Sequence, residues 1–431
     1  MIRVRFAPSP TGHLHIGGLR ASLFNYYFAK KNNGKFVIRI EDTDVERNKQ
    51  EYTTAILDAF AWCDIKSDEP ILYQSQRNKI YEKYIDQLLQ NNTAYYAEEY
   101  NEAGSLTRVI KCRVNKDNSH IRFNDIIRGE VAFPTSEIDD FIIVRSDGTP
   151  LYNLVVVIDD IEMNITHIIR GEEHLSNTPK QLILYEALLK NPPQFAHLPL
   201  ILGPDRKKLS KRDAATSVMD YQKEGFLPEA LCMYLMRLGW AYKDQEIFTY
   251  QELLTHFRLE DVHHGGAIFD RQKLLSMNNI YIKNTNLDIL YKYIEQWDSF
   301  FHEIGTAEQN KKIITLYQSR ATLLTDFKEA ILRITMRPQW KQEDITVLEI
   351  SQESLQQMIT TIHQSLKHSH FAYDTFLKSS LLNSYEKPLL YKSLRYALIG
   401  AFESPSIVEI MEIIGKQEIE ARLENFLFFI S

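Results

Sequence analysis

The segment Pro8-Ser9-Pro10-Thr11-Gly12-His13-Leu14-His15-Ile16-Gly17-Gly18 follows the strand-like Val4-Arg5-Phe6-Ala7 and runs into a helical pattern. A strand-to-helix turn presents unsatisfied backbone N–H groups and the positive end of a helix dipole, which suits an anion. Histidines there can donate hydrogen bonds to phosphate oxygens, and Gly17 and Gly18 let a flat ring approach the backbone. Taken alone, the H-x-G-G string is equally open to a plainer reading, a Pro-Gly turn with surface histidines. A second cluster, Lys207-Lys208-Leu209-Ser210-Lys211-Arg212, follows Gly203-Pro204-Asp205 and puts four cations into six residues. Such a loop is a candidate polyphosphate site. By itself it reads more readily as a solvated basic loop or a general RNA contact.

Glu41 ends the apolar run Phe36-Val37-Ile38-Arg39-Ile40 and could bind an ammonium group, while Arg5 and Arg170 sit at the edges of other strand-like runs. One glutamate and two arginines in a single cleft match a substrate with two carboxylates and one amine. Each has a simpler alternative. Glu41-Asp42 would also suit the acidic start of a helix, and a strand-edge arginine is commonly an ordinary ion-pair partner.

These residues need a scaffold. Val4 to Ala7 reads as a strand, Gly17 to Lys31 as a helix stopped by Asn32-Asn33-Gly34, and Phe36 to Ile40 as a second strand. Strand, helix and strand in so short a span predict a βαβ unit and a parallel sheet. Thr53 to Ala61 predicts another helix. Residues 91–135 are looser and more polar, with short β-like pieces such as Ile121-Arg122-Phe123, and read as an insertion. Alternation resumes with strands at Phe141 to Val144 and Ile165 to Ile169, an apolar run at Leu151 to Ile158, and a helix at Pro179 to Leu189. From Leu227 onward helical spacing dominates, as in Leu324, Phe327, Ile331 and Ile334, or Leu423, Phe426, Leu427 and Ile430.

A chain of 431 residues exceeds one ordinary core, and roughly two to four domains are expected. The net charge of −7 argues against a nonspecific nucleic-acid coat protein, yet leaves room for a local basic groove. Cys63, Cys112 and Cys232 are widely separated, so neither a disulfide framework nor a cysteine-rich zinc site is indicated. The opening Met1-Ile2-Arg3-Val4-Arg5 is charged and soon meets Pro8, unlike a secretory signal. No apolar run is long enough to span a membrane. A cytoplasmic location is the expectation, and a monomer is the default.

Together the two motifs resemble the paired ATP signatures of the class I aminoacyl-tRNA synthetases, known as HIGH and KMSKS, in that family's order. Further segments resemble its glutamyl branch: Arg5 to Gly12 (R-F-A-P-S-P-T-G), Arg39 to Asp44, Arg145 to Asn153, Asp159-Asp160, and Ile165 to His174. The resemblance runs from Arg3 to about Ile280, and beyond that rests on length and helicity. It implies an α/β Rossmann-type nucleotide-binding catalytic domain in two halves, 1–90 and 136–225, split by an acceptor-stem-binding subdomain at 91–135. A helical stem-contact region at 226–290 and an all-α anticodon-binding region at 291–431 would follow.

The resemblance also implies a reaction: ATP, carrying Mg²⁺, activates L-glutamate, which passes to tRNA-Glu, with tRNA-Gln left open as a second acceptor. ATP would meet Pro8, Ser9, Thr11, Gly12, His15, Gly17, Gly18, Lys208, Leu209, Ser210, Lys211 and Arg212, with His15, Lys208 and Lys211 acting in catalysis. Glutamate would meet Arg5, Ala7, Ser9, Glu41, Tyr152 and Arg170. One departure stands out. Many bacterial members carry a zinc knuckle after the aromatic pair that here reads Ala94-Tyr95-Tyr96-Ala97. The C-x-C positions are Ala97-Glu98-Glu99 in this chain, with only Cys112 downstream, so no structural zinc is expected. The rival readings are a glutaminyl-tRNA synthetase, a truncated enzyme that glutamylates a tRNA base, and a catalytically inactive RNA-binding paralogue.

Overall fold

The computed structural model describes residues 1–44, 48–100, 104–207, 209, 217–368, 372–378, 382 and 384–431. They form two units, Met1–Tyr221 with Pro228–Arg271, and Gln222–Leu227 with Gln272–Ser431.

The first unit begins with β1 (Arg3–Phe6), α1 (Ile16–Lys31) and β2 (Lys35–Ile40). The two strands pair in parallel, Val4 opposite Phe36 and Arg5 opposite Val37, as the βαβ pattern predicts. Helix α1 buries Ile16, Leu19, Leu23 and Phe24 at helical spacing and carries Lys30 and Lys31 in its last turn, where cations complement the dipole. Gly34 then enters β2. A Cβ there would stand 2.4 Å from the Ile2 carbonyl oxygen, so the close backbone approach admits glycine alone.

The chain continues through α2 (Gln50–Trp62), β3 (Leu72–Tyr73), α3 (Asn78–Gln90), β4 (Ala94–Tyr100), β5 (Leu106–Cys112), β6 (His120–Asp125), β7 (Gly129–Pro134) and β8 (Phe141–Val144). Next come α4 (Tyr152–Glu162), β9 (His167–Gly171), α5 (Thr178–Ala187) and β10 (Gln194–Leu198). A seven-stranded sheet runs in the order β3-β2-β1-β9-β10-β6-β7. Its neighbours are parallel except for the β6–β7 hairpin.

The stretch 91–135 is shared between two sheets. Strand β6 joins β10 in parallel, with Phe195 opposite Asp125, whereas β4 and β5 pair antiparallel with β8. A four-residue apolar strand such as Phe141–Val144 carries no periodicity that would name its partner. Helix α4 is buried continuously from Leu154 to Asp160, because strands β5 and β8 and helices α3 and α5 pack around it in one core. That helix is the apolar run seen in the sequence. The first unit closes with β11 (Ile201–Leu202), the start of α6 (Val218–Glu224), α7 (Pro228–Arg237), α8 (Tyr250–His256) and β12 (Ala267–Ile268).

The second unit is helical, comprising α9 (Arg271–Asn284), α10 (Leu287–Trp297), α11 (Ala307–Tyr317), α12 (Leu324–Thr335), α13 (Gln342–Ile345) and α14 (Gln352–His368). It ends with α15 (Tyr373–Leu377), α16 (Lys387–Ile399), α17 (Ile407–Ile414) and α18 (Lys416–Phe429). Leu324, Phe327, Ile331 and Ile334 are buried on α12, as are Leu423 and Phe426 on α18. The guanidinium of Arg422, 1% exposed, ties α18 to the carbonyls of Leu398 and Ile334. Among the described residues no helix is long and apolar enough to cross a membrane.

Candidate active site

Helix α1 starts beside the sheet's centre, and its cap is unusual. His15 is the N-cap residue, and its Nδ1 accepts from the Gly18 backbone N–H at 3.1 Å. With Nδ1 accepting, the proton of the neutral ring sits on Nε2, which makes that nitrogen a donor. No acidic residue occupies the first turn, so the positive end of the helix keeps its affinity for an anion. The glycines serve their neighbours. A Cβ at Gly17 would lie 3.0 Å from the His15 ring, and one at Gly18 2.8 Å from the Leu14 side chain.

The chain that follows the cationic cluster returns to this turn. Ser217 pairs with His15 in an isolated bridge, and Val218 N–H donates to the Leu14 carbonyl at 2.9 Å. At the other end Leu209 N–H donates to Ile201 at 3.1 Å, so both ends of the segment approach α1. Lys208, Ser210, Lys211 and Arg212 themselves lie outside the described residues. Arg20, buried on α1, donates to the carbonyls of Pro199 and Leu238 and braces the strand end from which the segment departs. Thr11, Gly12, His15, Gly17, Arg20 and Leu209 line a cavity of about 720 Å³.

An adjoining cavity of about 240 Å³ gathers Arg5, Ala7, Pro8, Ser9, Gly12, His15, Gly17, Gly18, Glu41, Tyr152 and Arg170. Beneath it lies a buried charge network. Asp160 accepts from Arg5 Nε at 3.0 Å and from Arg39 Nη1 at 2.6 Å, while Arg39 Nη2 donates to Glu41 Oε1 at 3.0 Å. Burial opposes ionisation of Asp160, but Arg5 and Arg39 outweigh it and hold its pKa below the usual carboxylate value. Glu41 goes the other way: burial raises its pKa despite Arg39 and Arg5. A further cation near Glu41 would therefore favour its charged form.

Arg170 differs from the other two arginines. It is 6% exposed and, among the described residues, makes no ion pair. Its Nε donates to His197 Nε2 at 3.1 Å, its Nη2 donates to Thr178 Oγ1 at 2.9 Å, and its Nη1 is buried without a partner. Burial lowers its pKa. The wall is completed by Tyr152, whose pKa burial raises to about 12, and His174, whose pKa is lowered to about 4 by burial and then by Arg170. The Tyr152 hydroxyl lies 3.4 Å from His174 Nδ1.

Sequence reasoning missed several of these side chains as site residues. Asp160 and Arg39 were visible only as members of signatures, and the sole further signal was a pair of acids ending an otherwise apolar helix. Glu173 and His174 line the smaller cavity as well. Cys112 ends β5 fully buried, and burial pushes its thiol up to about 12, away from the thiolate form that metals prefer. Among the described residues no three His, Cys, Asp or Glu side chains are grouped to hold a metal.

The family model for the catalytic domain of class I tRNA synthetases (E and Q) matches residues 1–109 and 98–276, and that for an anticodon binding domain matches 290–427. The glutamate–tRNA ligase 1 of Petrotoga mobilis is 40% identical, the alignment covering 100% of this chain and 98% of the relative. The glutamate–tRNA ligase 1 of Helicobacter pylori is 39% identical, covering 99% of each. A glutamate tRNA ligase of Elizabethkingia meningosepticum, solved in complex with its amino acid, superposes with a TM-score of 0.88 at 30% identity over 100% of both chains. With a catalytic-domain match over more than half its length and full-length relatives of one kind, the chain belongs to the glutamate–tRNA ligase family of class I tRNA synthetases.

Proposed function

We propose that this protein activates L-glutamate with ATP and transfers it to the 3′-terminal ribose of tRNA-Glu. The observation that carries this reading is Arg170, a buried guanidinium without an ion pair among the described residues, in one cavity with Arg5 and Glu41 beside the start of α1. Two carboxylates and one ammonium of glutamate answer two arginines and one carboxylate. In this reading Arg170 takes the side-chain carboxylate, Arg5 the backbone carboxylate and Glu41 the ammonium, with Ala7, Ser9 and Tyr152 shaping the pocket. The α-carboxylate attacks the α-phosphorus of ATP, forming glutamyl-adenylate and releasing pyrophosphate. The ribose hydroxyl then attacks the activated carbonyl and AMP leaves.

Pro8, Ser9, Thr11, Gly12, Gly17 and Gly18 surround the nucleotide, and His15 with the α1 N-terminus holds its phosphates. Lys208 and Lys211 neutralise the departing pyrophosphate, with Leu209, Ser210 and Arg212 completing that loop. Catalysis is then chiefly orientation and charge stabilisation, with no covalent enzyme intermediate. Mg²⁺ arrives with ATP. Residues 91–135 would contact the acceptor stem, 226–290 the neighbouring stem and 291–431 the anticodon, without structural zinc, in a cytoplasmic monomer. ATP–pyrophosphate exchange in the presence of tRNA, with glutamate and glutamine assayed separately, tests the reading. Exchange with glutamate alone supports it; exchange with glutamine alone, or with neither, overturns it.

A further inference from the structure

The partners that hold Arg170 come from three places in the chain and form one buried relay. Arg170 on β9 donates through Nε to His197 Nε2 on β10 at 3.1 Å, and the Thr178 hydroxyl lies 3.2 Å from the same nitrogen. On its far side His197 Nδ1 meets Asp125 Oδ2 at 2.6 Å. Asp125 ends β6 and is fixed in turn by the hairpin: its Oδ1 accepts from the backbone N–H groups of Ile127 and Arg128, each at 3.0 Å. Asp125, His197 and Thr178 are at most 1% exposed, so water cannot substitute for any of them.

The geometry dictates one protonation state. Nε2 must accept from a guanidinium that can only donate, so the ring proton belongs on Nδ1, where Asp125 receives it. The protonated ring would set an N–H against Arg170 Nε–H and a second cation beside the first. Burial lowers the His197 pKa although Asp125 pulls it up, in keeping with a neutral ring. The imidazole also lies parallel to the Phe195 ring, with centroids 6.1 Å and planes 8° apart.

We infer that His197, locked in the Nδ1–H tautomer by Asp125, is a positioning residue that aims Arg170 and so sets the preference for a carboxylate over an amide in the amino-acid pocket. This rests on the reading that Arg170 receives the substrate side chain. Two of the three nitrogens of Arg170 are anchored, the third, Nη1, is buried with no partner among the described residues, and the side chain lines the smaller cavity. A guanidinium freed from His197 can swing, and its charge is then no longer delivered to one point. The selectivity device thus reaches back to the β6–β7 hairpin.

Asp125→Asn is the sharpest variant because it is isosteric. If the amide oxygen keeps the two turn N–H groups, the amide NH₂ faces His197 Nδ1, and the ring proton moves to Nε2 against Arg170. His197→Phe removes the acceptor while keeping a ring, and His197→Gln restores an acceptor at similar reach. Kinetics of exchange with glutamate and with glutamine are measured for these and for Arg170→Ala. The expected result is a rise of about tenfold or more in KM for glutamate and a similar shrinkage of the glutamate-to-glutamine ratio of kcat/KM in Asp125→Asn and His197→Phe. KM for ATP stays unchanged, and His197→Gln recovers part of the ratio.

If Arg170→Ala shifts the ratio while folded Asp125→Asn and His197→Phe do not, the relay is overturned and the pocket reading survives. If Arg170→Ala leaves the ratio unchanged, the pocket reading itself falls and takes this inference with it. Nitrogen-15 NMR of histidine-labelled wild-type protein bypasses any folding defect: a His197 signal from a neutral ring protonated at Nδ1 supports the relay, and one protonated at Nε2 overturns it.

Discussion

Three arginines sit in or under the smaller cavity, and their surroundings differ. Arg39 pairs with both Asp160 and Glu41, so its removal would chiefly strand buried carboxylates, while Arg5 shares Asp160 with it. Arg170 has no such partner among the described residues. Arg170→Ala should cost about 3–5 kcal/mol in glutamate activation if the pocket is dry, and narrow the preference over glutamine. Arg170→Lys should fall between, since it keeps the charge but loses the fork. The comparison to make is the ratio of kcat/KM for the two amino acids.

Glu41 gives a pH signature. Its pKa is raised above 4.5, so as pH falls from neutrality toward that raised value the carboxylate protonates and, on the proposed assignment, releases the substrate ammonium. KM for glutamate should rise on the acid side, while Asp160, with its depressed pKa, stays ionised through the same window. An acid limb that persists in Glu41→Gln would show that another group titrates. Lys211→Ala should slow adenylate formation by about 2–4 kcal/mol of transition-state stabilisation with little effect on glutamate binding. Near-normal turnover at saturating ATP would reduce the loop to a binding patch.

At the scale of elements, the turn from α1 into β2 starts the strand that pairs with β1; these strands carry Arg5 and Arg39, and β2 leads directly into Glu41. Gly34 is the tight point of that turn. Gly34→Ala would drive a methyl against the Ile2 carbonyl, and an overpacked backbone contact of this kind costs about 1–3 kcal/mol. Urea unfolding should show a lower midpoint at unchanged slope. A midpoint equal to wild type would mean that the strand start can shift freely. Helix α4 matters for the opposite reason. It is apolar all round yet ends in two buried acids, Asp159 serving Arg77, Gln74 and Tyr81 while Asp160 serves Arg5 and Arg39.

At the scale of the whole molecule, the two units are interleaved in sequence: Gln222–Leu227 leaves the first unit to pack in the second. Leu227 N–H donates to Asn278, and Gly225 accepts from Leu324 N–H, each at 2.9 Å. A zinc knuckle would be a folding element for the stretch 91–135. Metal analysis of chelator-free protein should find zinc far below stoichiometric. A stoichiometric tetrahedral zinc bound through Cys112 would overturn that expectation.

Much of the chemistry was legible locally. The Pro-Gly turn with His15, the glycines of α1, the cationic cluster and the βαβ period all depend on residues close in sequence, where backbone geometry and side-chain period act directly. The sheet membership of Phe141–Val144 was not, because a short apolar strand pairs equally well with either neighbour. Nor were the supports of the pocket: Arg5 meets Asp160 across 155 positions, and Asp125 meets His197 across 72. Such pairs matter because packing removes water and leaves each charge or lone pair with one available partner. The sequence names the groups and their types; only the folded chain decides which of them are dry, which are already neutralised, and that Arg170 keeps one buried nitrogen with no partner among the described residues.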